Sequence, residues 1–148
     1  KSRPPFMGDS RYNIGEYTDC ILKPNEVGCW RAVYNNEGYA DAGYDEFIEA
    51  AKLLAKKNRS TVFCTLGNRG SAVTDGNVAE AVEAVLYKGE IDICGAGDTS
   101  LSAFSAALAA KADFKTAAEF ASLASGVTVR KIGVTGTASP EEIEALAK

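Results

Sequence analysis

The chain has 148 residues, of which 46% are hydrophobic, and it carries a formal net charge of -4. This length and apolar content suit one compact domain with a buried core, and the acidic balance leaves no basic surface for nucleic acid. The sequence contains no histidine, which excludes Ser-His-Asp and Cys-His nucleophile systems and imidazole metal sites.

Export and membrane insertion are not expected from the sequence. No stretch approaches the roughly 18 apolar residues of a membrane span, and the N-terminal stretch KSRPPFMGDS lacks the apolar region of a signal peptide. We therefore expect a cytoplasmic protein without a membrane partner. Because the sequence begins with Lys1 rather than methionine, it fits a fragment or a processed product. Four cysteines lie far apart without a CxxC pair, which is typical of buried free thiols: Cys20, Cys29, Cys64 and Cys94.

Short strand-like runs alternate with helical ones, which is typical of an α/β protein. An apolar step at Phe6-Met7 follows Pro4 and Pro5, and a strand predicted over 17–22 stops at Lys23-Pro24-Asn25. Further along the first half, the pattern predicts an amphipathic helix over 44–57, a buried strand over 61–66, a turn over 67–70, and a returning strand over 71–74.

The second half begins with a predicted strand around 81–87 that leads through Gly89 to the apolar run at 91–93. A helix then runs to about residue 110, with Leu101, Phe104 and Leu108 on its inward side. An alanine-rich helix is predicted over 116–127. The start of a last helix is indicated by a capping box, formed by Ser139, Pro140 and Glu142.

The stretch CGAGDTS at residues 94–100 carries the strongest chemical signal. Gly95 and Gly97 lack Cβ atoms, so the backbone can turn sharply and leave N–H groups free at the start of the following helix. Those donors and the helix dipole favour a bound phosphate. Asp98, at the same end, can accept the proton of an attacking hydroxyl group. The alternative is that Asp98 or Thr99 only caps the helix.

Two other glycine motifs for phosphate binding fit poorly. The dinucleotide fingerprint GxGxxG requires glycine where Ser100 stands, and the following segment has a helical rather than a strand pattern. The Walker motif requires Gly-Lys followed by Ser or Thr, and this triplet does not occur in the chain.

The stretch DICGAGDTSLSAF at residues 92–104 resembles the C-terminal signature of the PfkB or ribokinase-like carbohydrate kinases, whose usual form is DTxGAGD followed by a helix. Four further stretches have the order and spacing of that family's second half: DSR at 9–11, LKPNE at 22–26, TLGNRG at 65–70 and RKIGVTGTASPEE at 130–142. The DSR, LKPNE and KIGVTGTASPEE stretches are most similar to the branch that phosphorylates heptose phosphates.

The resemblance implies a ribokinase-like three-layer α/β/α fold with a mostly parallel central sheet. Residues 1–148 would be only its C-terminal, nucleotide-binding and catalytic portion. Family members are about twice as long, and their N-terminal half carries most sugar contacts, so we expect these residues alone to be weakly active or inactive. Edge strands left unpaired by the missing half would favour association between copies of the chain, and a homodimer would be one result.

The implied activity is ATP-dependent phosphoryl transfer to a hydroxyl of a sugar or sugar phosphate, with ATP and Mg²⁺ as cofactors. Asp98 would be the base, and the backbone amides of Gly95, Ala96 and Gly97 would form the anion hole. The competing interpretation is a non-catalytic module that binds a nucleotide or a partner and retains the GAGD loop.

The resemblance also implies nucleotide contacts, from the asparagine of the NxxE motif, the loop at 65–70 and the adenine pocket: Asn25, Thr65, Leu66, Gly67, Asn68, Arg69, Gly70, Ser122 and Gly126. An ordinary hairpin turn remains the alternative for the loop, and helix packing for Ser122 and Gly126. The NxxE glutamate, which helps to position magnesium, is replaced by Gly28, so Glu26 or another acid would have to substitute.

A monovalent cation such as K⁺ is implied as well. Asp92 and the carbonyl of Cys94 match one side of the family's monovalent-cation site. The alternative for Asp92 is that it simply ends a strand.

Overall fold

The computed structural model describes residues 6–148, so Pro4 and Pro5 lie outside the described part. The chain divides into two compact units, Lys1–Ala81 and Val82–Lys148.

A five-stranded sheet has its strands in the order β1-β2-β3-β4-β5, with bounds Met7–Gly8, Ile21–Leu22, Val62–Thr65, Ser71–Thr74 and Ala79–Val82. The first three strands are parallel, with Leu22 opposite Val62. Strand β4 returns antiparallel to β3 after a short 3-10 turn at Gly67–Arg69. The expected α/β class with a mostly parallel sheet is confirmed.

Two helices accompany the sheet in the first unit, α1 at Glu26–Tyr34 and α2 at Tyr44–Asn58. Helix α2 confirms the predicted amphipathic helix, since its apolar side chains Phe47 and Leu54 are buried with those of β3. Helix α1 was not predicted.

The strand predicted over 17–22 is shorter in the structure and comprises only β2. The side-chain amide of Asn58 donates to the carbonyls of Gly15 and Tyr17, at 2.8 Å each, so these groups pair with a side chain. Asp19 has a φ of 58°, which an extended strand cannot include.

The strand predicted at 81–87 is also wrong in its bounds, because β5 begins two residues earlier and ends at Val82. Strand β4 ends at Thr74, whose hydroxyl accepts from the Gly76 amide and donates to the Val78 carbonyl. This tight turn fixes where β5 starts, and a partner strand of four residues offers no pairing for residues 83–87.

The second unit consists mainly of helices α3 at Ala96–Ala109, α4 at Phe114–Thr128 and α5 at Pro140–Leu146. All three confirm predicted helices. Helices α3 and α4 pack closely, with Phe104 fully buried and the Thr128 hydroxyl donating to that of Thr99 at 3.2 Å. The capping box at Ser139 is present.

All four cysteines are free, but only Cys29 and Cys64 are buried. The expectation of burial is met in part by the half-buried Cys20 and fails for the exposed Cys94. A hydrogen bond to Cys29 and burial together raise the pKa of the Cys64 thiol. Among residues 6–148, no helix combines the length and apolarity that crossing a bilayer requires.

Candidate functional site

The backbone before α3 makes a tight turn at the predicted anion site. The carbonyl of Ile93 accepts from the amide of Ala96 at 3.1 Å, and Gly95 between them has φ 80° and ψ -5°. These angles are those of the third residue of a type II turn, a position that favours glycine. A Cβ on Gly95 would lie 2.9 Å from Cγ2 of Thr135, so the glycine also allows close approach.

This turn decides which amides are free. The first bond of α3 runs from the Thr99 amide to the Gly95 carbonyl, at 2.9 Å. The amides of Gly95, Gly97 and Asp98 donate to no group within the described part of the chain. The amide of Ala96 is engaged by the turn, which differs from the expectation that it would be free to bind an anion.

Asp98 lies in the first turn of α3, with its side chain exposed, and it borders a cleft of about 610 Å³. One side of the cleft is formed by residues 135–138, which we call the cleft loop. The remaining surface comes mainly from the three helices, including Ser102, Ala103, Ala106, Phe120, Ala124 and Ile143. The second unit therefore brings a carboxylate and unpaired amides together at the mouth of one mainly apolar cleft, where an anion can bind beside a proton acceptor.

Asp92 connects this turn to the chain just before the cleft loop. Its carboxylate accepts from the amide of Cys94 at 2.9 Å and from that of Gly133 at 3.0 Å. These two backbone hydrogen bonds hold the pKa of Asp92 below its ordinary value. Asp92 does not end a strand, since residues 83–95 contain none. Its carboxylate already has these two amide partners, and its role with Cys94 at a cation site stays a prediction.

In the first unit, the predicted nucleotide loop is a well-formed turn. Leu66 donates its amide to the Gly70 carbonyl at 2.8 Å, and Gly67 has a φ of 59°. The Leu66 side chain is buried in the core, and its carbonyl accepts from the Arg69 amide at 3.1 Å. Asn68 and Arg69 are exposed. The guanidinium of Arg69 lies over the ring of Phe47, at 4.7 Å from its centroid, and 3.9 Å from the Glu26 carboxylate.

Asn25 lies directly beside this loop, because its backbone bridges to Thr65 in parallel register. Its side-chain oxygen caps α1 by accepting from the amide of Gly28 at 2.8 Å. Gly28 is buried and offers no side chain, whereas Oε1 of Glu26 lies 3.7 Å from where a Cβ on Gly67 would stand. Glu26 is therefore an acid of this unit that lies beside the loop.

Ser122 and Gly126, the predicted adenine residues, lie on α4 and do not border the Asp98 cleft. The Ser122 hydroxyl donates to the Glu83 carbonyl at 3.0 Å. A Cβ on Gly126 would lie 3.0 Å from that of Val85. Both residues pack their helix, which is the alternative that the sequence left open, and their contact with adenine stays a prediction.

The cleft loop is the part of the site for which the sequence predicted no role. It belongs to the stretch KIGVTGTASPEE, which we used only as a mark of resemblance. The available signal in the sequence was Gly136, because a glycine in such a stretch indicates close packing. In the structure, a Cβ on Gly136 would lie 3.0 Å from Cδ of Lys131.

Comparison of the sequence with known proteins shows the family, and comparison of the structure shows a shared fold. Residues 20–142 match the pfkB family carbohydrate kinases. Two curated relatives are named Bifunctional protein HldE: that of Shewanella baltica is 35% identical over 91% of this chain and 28% of its own length, and that of Coxiella burnetii is 35% identical over 99% and 30%. They are consistent with the heptose-phosphate branch that the sequence resembles.

Among solved structures, Arabidopsis thaliana ribokinase complexed with ribose and ATP is similar with a TM-score of 0.83 and 22% identity, over 97% of this chain and 47% of its own. Phosphofructokinase-2 from Escherichia coli, in complex with potassium, has a TM-score of 0.79 and 21% identity, over 97% and 48%. The chain thus spans about 30% of these curated relatives and just under half of these solved chains. On the family match and the shared fold, this chain belongs to the pfkB family of carbohydrate kinases.

Proposed function

We propose that this chain forms the nucleotide-binding and catalytic portion of an ATP-dependent kinase that phosphorylates a hydroxyl of a sugar or sugar phosphate. The observation that carries the proposal is the exposed Asp98 carboxylate beside unpaired amides at the start of α3, facing a cleft. Family membership supports the reaction class.

In this reaction, the acceptor oxygen attacks the γ-phosphorus of ATP, its proton passes to the carboxylate of Asp98, and ADP leaves. A positioned general base contributes about 10²- to 10⁴-fold to such a step. The amides of Gly95 and Gly97, which have no internal partner among the described residues, stabilise the oxygens of the transferred group. The Ala96 amide is left out of this set because Ile93 already accepts from it.

The loop at residues 65–70 is proposed to lie along the nucleotide, where its glycines allow close approach to phosphates. Magnesium would neutralise phosphate charge there, and it commonly binds through one or two carboxylates with waters and substrate phosphates. Glu26 fits this need, because its carboxylate is partly exposed beside Gly67. The described residues contain no group of three His, Cys, Asp or Glu side chains placed to hold a metal ion.

The acceptor is proposed to be a sugar phosphate, and a heptose phosphate in particular. The DSR, LKPNE and KIGVTGTASPEE stretches support this choice, together with the relatives named Bifunctional protein HldE. Relatives of the same fold were solved with ribose and ATP and with fructose-6-phosphate.

A non-catalytic nucleotide-binding module is the second candidate, and Gly28 in place of the NxxE glutamate favours it. Calorimetry with ATP and Mg²⁺, followed by ADP release with a panel of sugars and sugar phosphates on the whole protein, separates the two. We expect nucleotide binding and acceptor-dependent ADP release. Binding without release from any acceptor would favour the module.

A further inference from the structure

We propose that Lys131 and Glu142 are positioning residues for the kinase site: they hold the cleft loop beside Asp98 and thereby set the rate of phosphoryl transfer rather than nucleotide affinity. The catalytic part of this inference rests on the proposed function. Neither residue borders the cleft of Asp98, so both act through the backbone that does.

The aliphatic part of Lys131 supports the middle of the cleft loop. A Cβ on Gly136 would lie 3.0 Å from Cδ and 3.1 Å from Cβ of Lys131, so the backbone rests directly on this side chain. Gly136 is buried although the loop borders a cleft. Side chain and loop therefore move together.

The ammonium group of Lys131 fixes the far end of the loop. It donates to the carbonyl of Thr137 and to the carboxylate of Glu142, with Nζ 2.8 Å from Oε1 and 2.9 Å from Oε2. Glu142 also accepts from the amide of Ser139 at 2.8 Å, as part of the capping box of α5. One carboxylate thus joins the end of the loop, the start of a helix and a lysine.

The near end of the loop is held from the other side. Asp92 accepts from the Gly133 amide, and Thr135 lies against Gly95, with its hydroxyl 3.6 Å from Sγ of Cys94. The loop is therefore fixed at both ends, and its first residue touches the turn that presents Asp98. Loss of the Lys131 contacts frees the far end and lets the cleft wall shift.

Such a shift matters because phosphoryl transfer depends on positioning. A misplacement of about 1 Å caused by a distant mutation can cost on the order of 100-fold in rate. The nucleotide loop at residues 65–70 makes none of its hydrogen bonds with Lys131 or Glu142, so ATP affinity has no direct reason to change.

The test measures kcat, the KM for ATP and hydrogen–deuterium exchange of residues 133–138 in the whole protein. Lys131→Met keeps the aliphatic stem and removes the charge, Lys131→Arg restores a donor, and Lys115→Met on the exposed start of α4 is the matched control. We expect Lys131→Met to lower kcat by about 10- to 100-fold with KM for ATP within threefold, and to speed loop exchange. Lys131→Arg should recover most of both effects.

Glu142→Gln should reproduce the loss, with Glu119→Gln on the exposed face of α4 as its control. A wild-type kcat and unchanged loop exchange in Lys131→Met would overturn the inference, as would a rise in KM for ATP without a fall in kcat. If the wild-type protein phosphorylates no acceptor, the proposed function fails, and loop exchange alone decides whether Lys131 holds the loop.

Discussion

At Gly95 two constraints meet at one residue, a φ of 80° and a contact with Thr135 that leaves no room for a Cβ. Gly133 shares only the first constraint, since its φ is 72° and a Cβ there would meet no atom within 4 Å. The pair therefore separates the strain of a left-handed backbone, about 1–2 kcal/mol for an L-residue, from the cost of a close contact.

We expect Gly95→Ala to lower the melting temperature more than Gly133→Ala does, because only the first adds a steric clash to the backbone strain. Thermal unfolding followed by circular dichroism measures both. Equal losses would mean that Thr135 gives way freely and that the turn tolerates a Cβ.

The carboxylates of Asp92 and Glu142 make stability depend on acid pH. Backbone amides lower the pKa of Asp92, and a hydrogen bond from Lys131 is the main cause of the lowered pKa of Glu142. A lowered folded-state pKa stabilises the fold above the unfolded values, about 3.9 for Asp and 4.3 for Glu, and this stabilisation is lost as pH falls through the folded values.

The melting temperature should thus stay level at pH 5–7 and fall below about pH 4, and Asp92→Asn should make that fall shallower. A series of melts from pH 7 to pH 2.5 on both proteins measures the difference. A fall of equal depth in the variant would show that Asp92 contributes nothing through its ionised form.

The sequence predicted correctly the helices and turns whose signals are local. The apolar face of α2, the turn between β3 and β4, and the capping box of α5 are all present. Helix α1 was missed because the Pro-Asn pair before it was interpreted as the end of a strand, and Asn25 as a nucleotide contact, rather than as a helix start. Asn25 was the overlooked signal, since asparagine is a preferred N-cap and its side chain does cap α1.

The error in β5 had a different origin. An apolar run continues to Tyr87, but Leu86 is 72% exposed, and pairing ended with the short partner strand. Strand length depends on the neighbouring strand, which one sequence segment does not specify.

Helix α2 provides a direct test of which side chains stabilise the first unit. Leu54 is fully buried in the core, whereas the adjacent Leu53 is 42% exposed. Leu54→Ala should cost about 2–5 kcal/mol in the free energy of unfolding, and Leu53→Ala less than about 1 kcal/mol. Urea denaturation measures both, and similar costs would contradict the assigned orientation of the helix.

Across the whole molecule, the predicted site residues fall in both units: the loop at residues 65–70 and Asn25 lie in the first, and Asp98 and its turn lie in the second. The GAGD stretch predicted a candidate acid and a candidate anion site from the sequence, because glycine and helix start are local features. The loss of the Ala96 amide is a local effect of the turn at residues 93–96, which the glycines were interpreted as leaving open. The cleft loop some 40 residues further on depends on tertiary contacts, which no local pattern encodes.

Asp98→Asn in the whole protein tests whether this carboxylate takes the proton of the acceptor hydroxyl. Its acceptor-dependent ADP release should fall by about 10²- to 10⁴-fold, with ATP affinity by calorimetry within threefold of the wild type. Phosphorylation by the variant at the wild-type rate would exclude Asp98 as the base.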